Sequence, residues 1–306
     1  MIKHKLTLGV CTLLVLFMTG CGVSSQNEIN TDGSPLQGQP ISEENLPISP
    51  SEKGAVEISS EEVLQSEEIV DQDAESISLR SMLKKALLPV GTTAYIWGGG
   101  WNEEDTAAGP EATTIGLSPR WAEFANAITS NYDHKKYRYQ IHDGLDCSGY
   151  VGWVIYNTFE TKDGREGYVM SSTDMASTFA SYGWGDLRNK QAVTDWKPGD
   201  IASMKGHVWI CLGSCEDGSV LLVHSSPPGV RICGTKNGSK TSEAVKLAAS
   251  LMERFYPEWY QRFPDCEVSA DYLKADQMRW NTQTLPDALE LQNMTAEEIA
   301  SLLFPE

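Results

Sequence analysis

Three residues of this chain have the chemistry for nucleophilic catalysis together: Cys147, His207 and His224. Cys147 stands in GLDCSGYVGWVIY, directly ahead of an apolar run. Val151, Val154, Ile155 and Phe159 follow at helical spacing, which predicts that Cys147 opens a helix. Unpaired N–H groups and the positive end of the helix dipole lie there, a setting that favours a thiolate. A small residue filling a helix–sheet contact is the plainer alternative. A thiol nucleophile needs a base, and the base needs an orienting partner. Histidine suits the role of base because its pKa lies near neutrality. His207 starts the strand pattern HVWICLG and His224 ends the strand pattern VLLVHSS, with the turn SCEDGS between them. A hairpin brings both rings to its open end, one as base and one as orienting partner. Two histidines in structural hydrogen bonds are the competing reading.

The elements that must position these groups can be read in outline. Ile77 to Leu88 has a helical face of Leu79, Met82, Leu83 and Ala86, stopped by Pro89. AYIWGGGW follows, with three glycines where backbone must pass close to something. The polar stretch 102–143 holds one helix, with Ser118 as N-cap, Pro119 at the first position and Trp121, Phe124, Ala125 and Ile128 on one face. A helix over Thr173 to Tyr182 ends at Gly183. The period then changes: DIASM, HVWICLG, VLLVHSS and GVRIC read as short antiparallel strands. Helices first and strands second predict an α+β fold. From Thr241 the pattern is helical again. Residues 242–256 form one helix, and Thr295 with Glu298 caps the last. Residues 241–306 are therefore expected to be a helical extension.

The N-terminus is built for export. Lys3 and Lys5 precede an apolar run from Leu6 to Met18, which leads into Met18-Thr19-Gly20-Cys21. This resembles a bacterial lipoprotein signal, which implies removal of 1–20, lipidation of Cys21 and an extracytoplasmic protein held at the membrane. An ordinary secretory signal is the alternative. Residues 22–76 carry thirteen Asp and Glu against the single basic Lys53, and no aromatics. Such a segment lacks the apolar surface to offset its ordering entropy, so 21–76 reads as an acidic tether. It holds most of the net charge of −18, and nothing in the chain is basic enough for nucleic acid. Of seven cysteines, Cys147, Cys211, Cys215, Cys233 and Cys266 remain after Cys11 and Cys21 are set aside. An odd number outside the cytosol leaves one free thiol, and Cys147 is the choice; the other four can pair or stay free. Their spacing makes a poor case for a metal site.

DCSG at 146–149, YIWGG at 95–99, KPGDI at 197–201, GHV at 206–208 and VH at 223–224 come in the order found in the NlpC/P60 family, which this chain resembles over roughly 77–235. Those are papain-like cysteine peptidases of the bacterial cell wall. The resemblance implies a catalytic domain over 77–240, without cofactor or metal. Cys147 would be the nucleophile, His207 the base and His224 its orienting partner. The Tyr95 hydroxyl and the backbone N–H of Cys147 would face the oxyanion. Asp146 and Ser148 would bind the free amine of a peptidoglycan stem peptide. The implied reaction is cleavage between D-γ-glutamate and the following diamino acid, by a monomer. An amidase or acyltransferase on the same scaffold, or a non-catalytic wall-binding lipoprotein, are the alternatives. Three departures stand out. Residues 100–145 are inserted between the Trp-Gly-Gly and the Asp-Cys-Ser-Gly. Trp209 replaces a small residue two positions after the base, which is expected to narrow the site. Residues 241–306 lie outside the family core.

Overall fold

The computed structural model describes residues 76–163, 166–238 and 241–305. Cys21, the signal segment 1–20 and the tether up to residue 75 lie outside the described residues. Seven α-helices and nine strands are described: α1 Leu79–Leu87, β1 Ala94–Tyr95, α2 Pro119–Ala127, β2 Gly144–Leu145, α3 Cys147–Asp163, α4 Met175–Ser181, β3 Gly185–Arg188, β4 Ile201–Met204, β5 His207–Ser214, β6 Val220–Ser226, β7 Gly229–Thr235, α5 Glu243–Phe255, α6 Pro257–Arg262, β8 Glu267–Val268, β9 Asp276–Trp280 and α7 Ala296–Leu303. The fold is thus mixed α and β, as the change of period predicts. Among the described residues, no helix is long and apolar enough to cross a membrane.

The strands form one curled sheet in the order β2-β1-β7-β6-β5-β4-β9-β3, with β8 beside β7. All pairings are antiparallel except β1 with β2 and β7 with β8. Strand alternation sorts the side chains into two cores. Val208, Ile210 and Leu212 of β5 and Leu221 and Val223 of β6 point into the larger core, shared with α1, α3, α4 and α5. Trp209 and Cys211 of β5 and Leu222 of β6 point the other way, into a smaller core with Trp196, Val268 and Ala275. Trp209 therefore packs on Trp196, with ring centroids 4.6 Å apart and planes tilted by 38°, and does not narrow a cleft.

Residues 241–306 depart most from the sequence reading, which expects only helices there. Strand β9 lies inside the sheet, between β4 and β3, with Met278 opposite both Ile201 and Leu187. Arg279 on β9 grips Asp200 of the KPGDI turn through Nε and Nη2, at 3.0 and 2.8 Å. Gln277 Nε2 donates to the same carboxylate at 2.7 Å. Strand β8 adds to the sheet by pairing in parallel with β7. The five cysteines from Cys147 onward are free and buried.

Candidate active site

The first turn of α3 is where sequence and packing meet. Strands β1 and β2 run parallel, with Ala94 beside Gly144 and Tyr95 beside Leu145. That register delivers the YIWGG turn to the start of α3. The N–H of Asp146 donates to Gly99 O at 3.0 Å. Gly149 is required by this approach: a β-carbon there would lie 1.9 Å from Gly99 O. Ser225 of β6 closes the other side, its hydroxyl donating to Leu145 O at 2.7 Å.

Asp146 acts as the N-cap of α3. Its Oδ1 accepts from Gly149 N at 2.7 Å and from the Ser148 hydroxyl at 2.8 Å, and its Oδ2 accepts from Gly98 N at 3.2 Å. The Ser148 hydroxyl in turn accepts from Trp101 Nε1 at 3.0 Å. Both side chains are buried. The pair expected to face a substrate amine is thus held in an internal network that ties the glycine turn to the helix. Burial outweighs these three hydrogen bonds and raises the Asp146 carboxyl to about 6.

Cys147 is only 8% exposed. The N–H groups of Val208, Ser148 and Cys147 itself favour its thiolate, yet burial first and the neighbouring Asp146 second raise the thiol to about 12. The setting that the helix start alone suggests is therefore reversed by desolvation. Val208 follows His207 directly, so its N–H brings the start of β5 against the thiol.

His207 and His224 meet as expected, though diagonally. The β5–β6 register of Ile210 with Val223, carried to the open end, sets His224 opposite Trp209 and His207 two pairs further on, on the same face. The rings span that offset, with His207 Nε2 and His224 Nδ1 2.9 Å apart and planes 82° to one another. With Nε2 occupied, Nδ1 is the nitrogen of His207 left for a thiol. If His207 Nε2–H is the donor, its Nδ1 carries the lone pair that a base requires. Burial, then the charge of Arg231, lowers His207 to about 4. Burial also holds His224 well below its ordinary value, followed by His207 and Arg231. Burial thus disfavours the charged form of either ring.

Two groups that sequence reasoning missed complete the enclosure. Tyr272, from the segment between β8 and β9, packs its ring on both histidines at 5.1 and 5.8 Å. Its only sequence signal is an aromatic in an otherwise polar stretch. The second group belongs to the insertion. Tyr132 donates its hydroxyl to Tyr95 O at 2.6 Å, and His134 packs edge-on to the Tyr95 ring at 5.7 Å. Burial, then Cys147 and Asp146, raise the Tyr95 phenol well above its ordinary value, so it stays a neutral donor. Cys147, His207, His224 and Tyr95 thus share one locus, with Asp146 and Ser148 beneath it.

The chain matches no family model, no curated protein and no solved structure. Among the described residues, no group of three or more His, Cys, Asp or Glu is placed to hold a metal ion.

Proposed function

We propose that this chain is a cysteine peptidase with a papain-like NlpC/P60 core, lipid-anchored outside the cytoplasm through Cys21, that hydrolyses peptidoglycan stem peptides. The D-γ-glutamyl–diamino acid bond is the proposed target. One observation carries the reading. The His207–His224 bond at 2.9 Å commits Nε2 of the proposed base, at the strand start whose next N–H meets the Cys147 thiol.

In the proposed reaction the Cys147 sulfur attacks the scissile carbonyl carbon while its proton passes to His207 Nδ1. Burial discourages either charge alone, so thiolate and imidazolium arise together. The oxyanion faces the N–H of Cys147 and the Tyr95 hydroxyl; such donors act where charge develops. His207 then gives the proton to the departing amine, leaving a thioester that water hydrolyses, with His207 again taking a proton. His224 holds the ring of His207 in its working tautomer.

The test is incubation with defined stem peptides and mass analysis of the products. Cleavage after D-γ-glutamate by the wild type, absent in Cys147→Ala, is expected. An equally active Cys147→Ala, or an intact peptide in both, refutes the assignment.

A further inference from the structure

We propose that the inserted segment builds a subsite for one neutral sugar ring beside the catalytic cysteine. In the wall this would be an N-acetylated amino sugar of the glycan that bears the stem peptide. The identity of that sugar rests on the peptidase reading; the subsite itself does not.

A cavity of about 250 Å³ is lined by Asn102, Glu103, Asp105, Tyr139, Ile141 and His142, all within the insertion. Drug-sized ligands occupy pockets of roughly 300–1,000 Å³, so this one suits a single ring-sized unit. Tyr139 is 60% exposed and Trp97 47% exposed. The Arg138 guanidinium lies over both rings, 5.1 Å from Trp97 and 5.5 Å from Tyr139, and braces them as a shelf. Exposed aromatic faces held in place are apolar surfaces offered to a ligand, and the C–H face of a pyranose is a suitable partner.

The polar lining selects the charge of that partner. Glu103 and Asp105 repel an anion. The guanidinium of Arg138, held over the same two rings, repels a cation in turn. A neutral, hydroxyl-rich ring remains, with carboxylates to accept from its hydroxyls. His142 is held ready to bond the same ring, because its Nδ1 is bonded to the Glu111 carboxylate and Nε2 is left for a ligand.

Backbone conformation marks the same place. Among the described residues three non-glycines have positive φ, and two of them, Asp105 at 60° and Tyr139 at 65°, line this cavity. A bulky tyrosine seldom adopts that region, and such conformations gather at ligand sites. A short chain of contacts links the cavity to the catalytic locus through Gly98. A β-carbon at Gly98 would lie 3.2 Å from Ile141 Cγ2 and 3.4 Å from Tyr139 Cδ1. The Gly98 N–H donates to Asp146, the residue before Cys147.

The experiment has two arms. In the first, the chain is titrated with the β-1,4 trimer of N-acetylglucosamine and followed by tryptophan fluorescence. Saturable binding by the wild type, weakened about tenfold or more in Tyr139→Ala and kept in Tyr139→Phe, is expected. In the second, kcat/KM is compared on a free stem peptide and on the same peptide attached to its disaccharide. The attached form should be favoured about tenfold, mostly through KM, with the ratio falling toward one in Tyr139→Ala. No saturable trimer binding overturns the subsite, as does a ratio that Tyr139→Ala leaves intact. If the wild type cleaves neither peptide, the peptidase reading falls and the trimer arm alone judges the subsite. If Tyr139→Ala fails to fold, Glu103→Gln with Asp105→Asn replaces it, and unchanged trimer binding there overturns the polar half of the site.

Discussion

Replacing Arg279 by Met removes the cation that grips Asp200, and the structure sets the size of the loss. Asp200 is fully buried and Arg279 is 14% exposed, so neither charge is relieved by water. Asp195, the other carboxylate on Arg279, is 42% exposed and rehydrates when the arginine goes. The cost therefore concentrates on Asp200, which keeps the Lys197 N–H and Gln277 Nε2 as partners, at 2.8 and 2.7 Å. Removing one member of a buried ion pair costs about 3–5 kcal/mol. The pH dependence follows from the sign of the shift. Burial already raises the wild-type Asp200 carboxyl to about 6, against the pull of Arg279. Without Arg279 it rises further, so the folded variant takes up a proton at a higher pH than the wild type does. The deficit is thus greatest at alkaline pH. It narrows by about 1.4 kcal/mol per pH unit on descent to about pH 6, where the wild type begins its own uptake. Urea unfolding at pH 8.5 and pH 6, followed by tryptophan fluorescence, measures both values. Asp200→Asn combined with Arg279→Met should recover part of the loss, because no buried charge is left alone. A loss below about 1 kcal/mol at pH 8.5, or one that grows toward acid, refutes the reasoning.

Cys147→Ala should abolish turnover and leave the unfolding midpoint nearly unchanged. His207→Ala should reduce kcat by about 10²–10⁴, and His224→Ala by less, since orientation is a smaller effect than proton transfer; the reverse order would exchange their roles. Gly149→Ala should cost about 3 kcal/mol or more in urea unfolding, because its β-carbon would meet the Gly99 carbonyl at 1.9 Å and both sides of that contact are backbone. His207 should also make the fold acid-sensitive. Its folded pKa of about 4 lies below the ordinary 6.5, so the unfolded chain binds the proton first as pH falls. The stability it contributes is complete above about pH 6.5 and is lost toward pH 4, at about 1.4 kcal/mol per unit. Asp146 and Asp200, raised to about 6 by burial, work in the opposite direction between about pH 6 and 4. The test is therefore the difference between wild type and His207→Gln, which should shrink as pH falls through that window.

Local pattern by itself determined the helix that Cys147 opens, the β5–β6 hairpin with a histidine at each side of its open end, and the capped helices α1, α5 and α7. Each of these depends on a period, a turn or a cap within about ten residues, which is the range over which side-chain spacing carries information. Strand β9 escaped that reading. DQMRW alternates poorly because both of its faces are covered, and Arg279 is drawn in by Asp200, 79 residues earlier. Tyr272 escaped for the same reason: nothing near it in the chain says that it will lie on two histidines. The electrostatics of the site also needed the tertiary structure. A helix start favours a thiolate, and Asp146 beside Cys147 suggests a carboxylate free for a substrate. Packing of β5, β6 and the insertion around that first turn buries both groups instead. Desolvation is set by everything that excludes water from a point, and those groups come together only when the chain has folded.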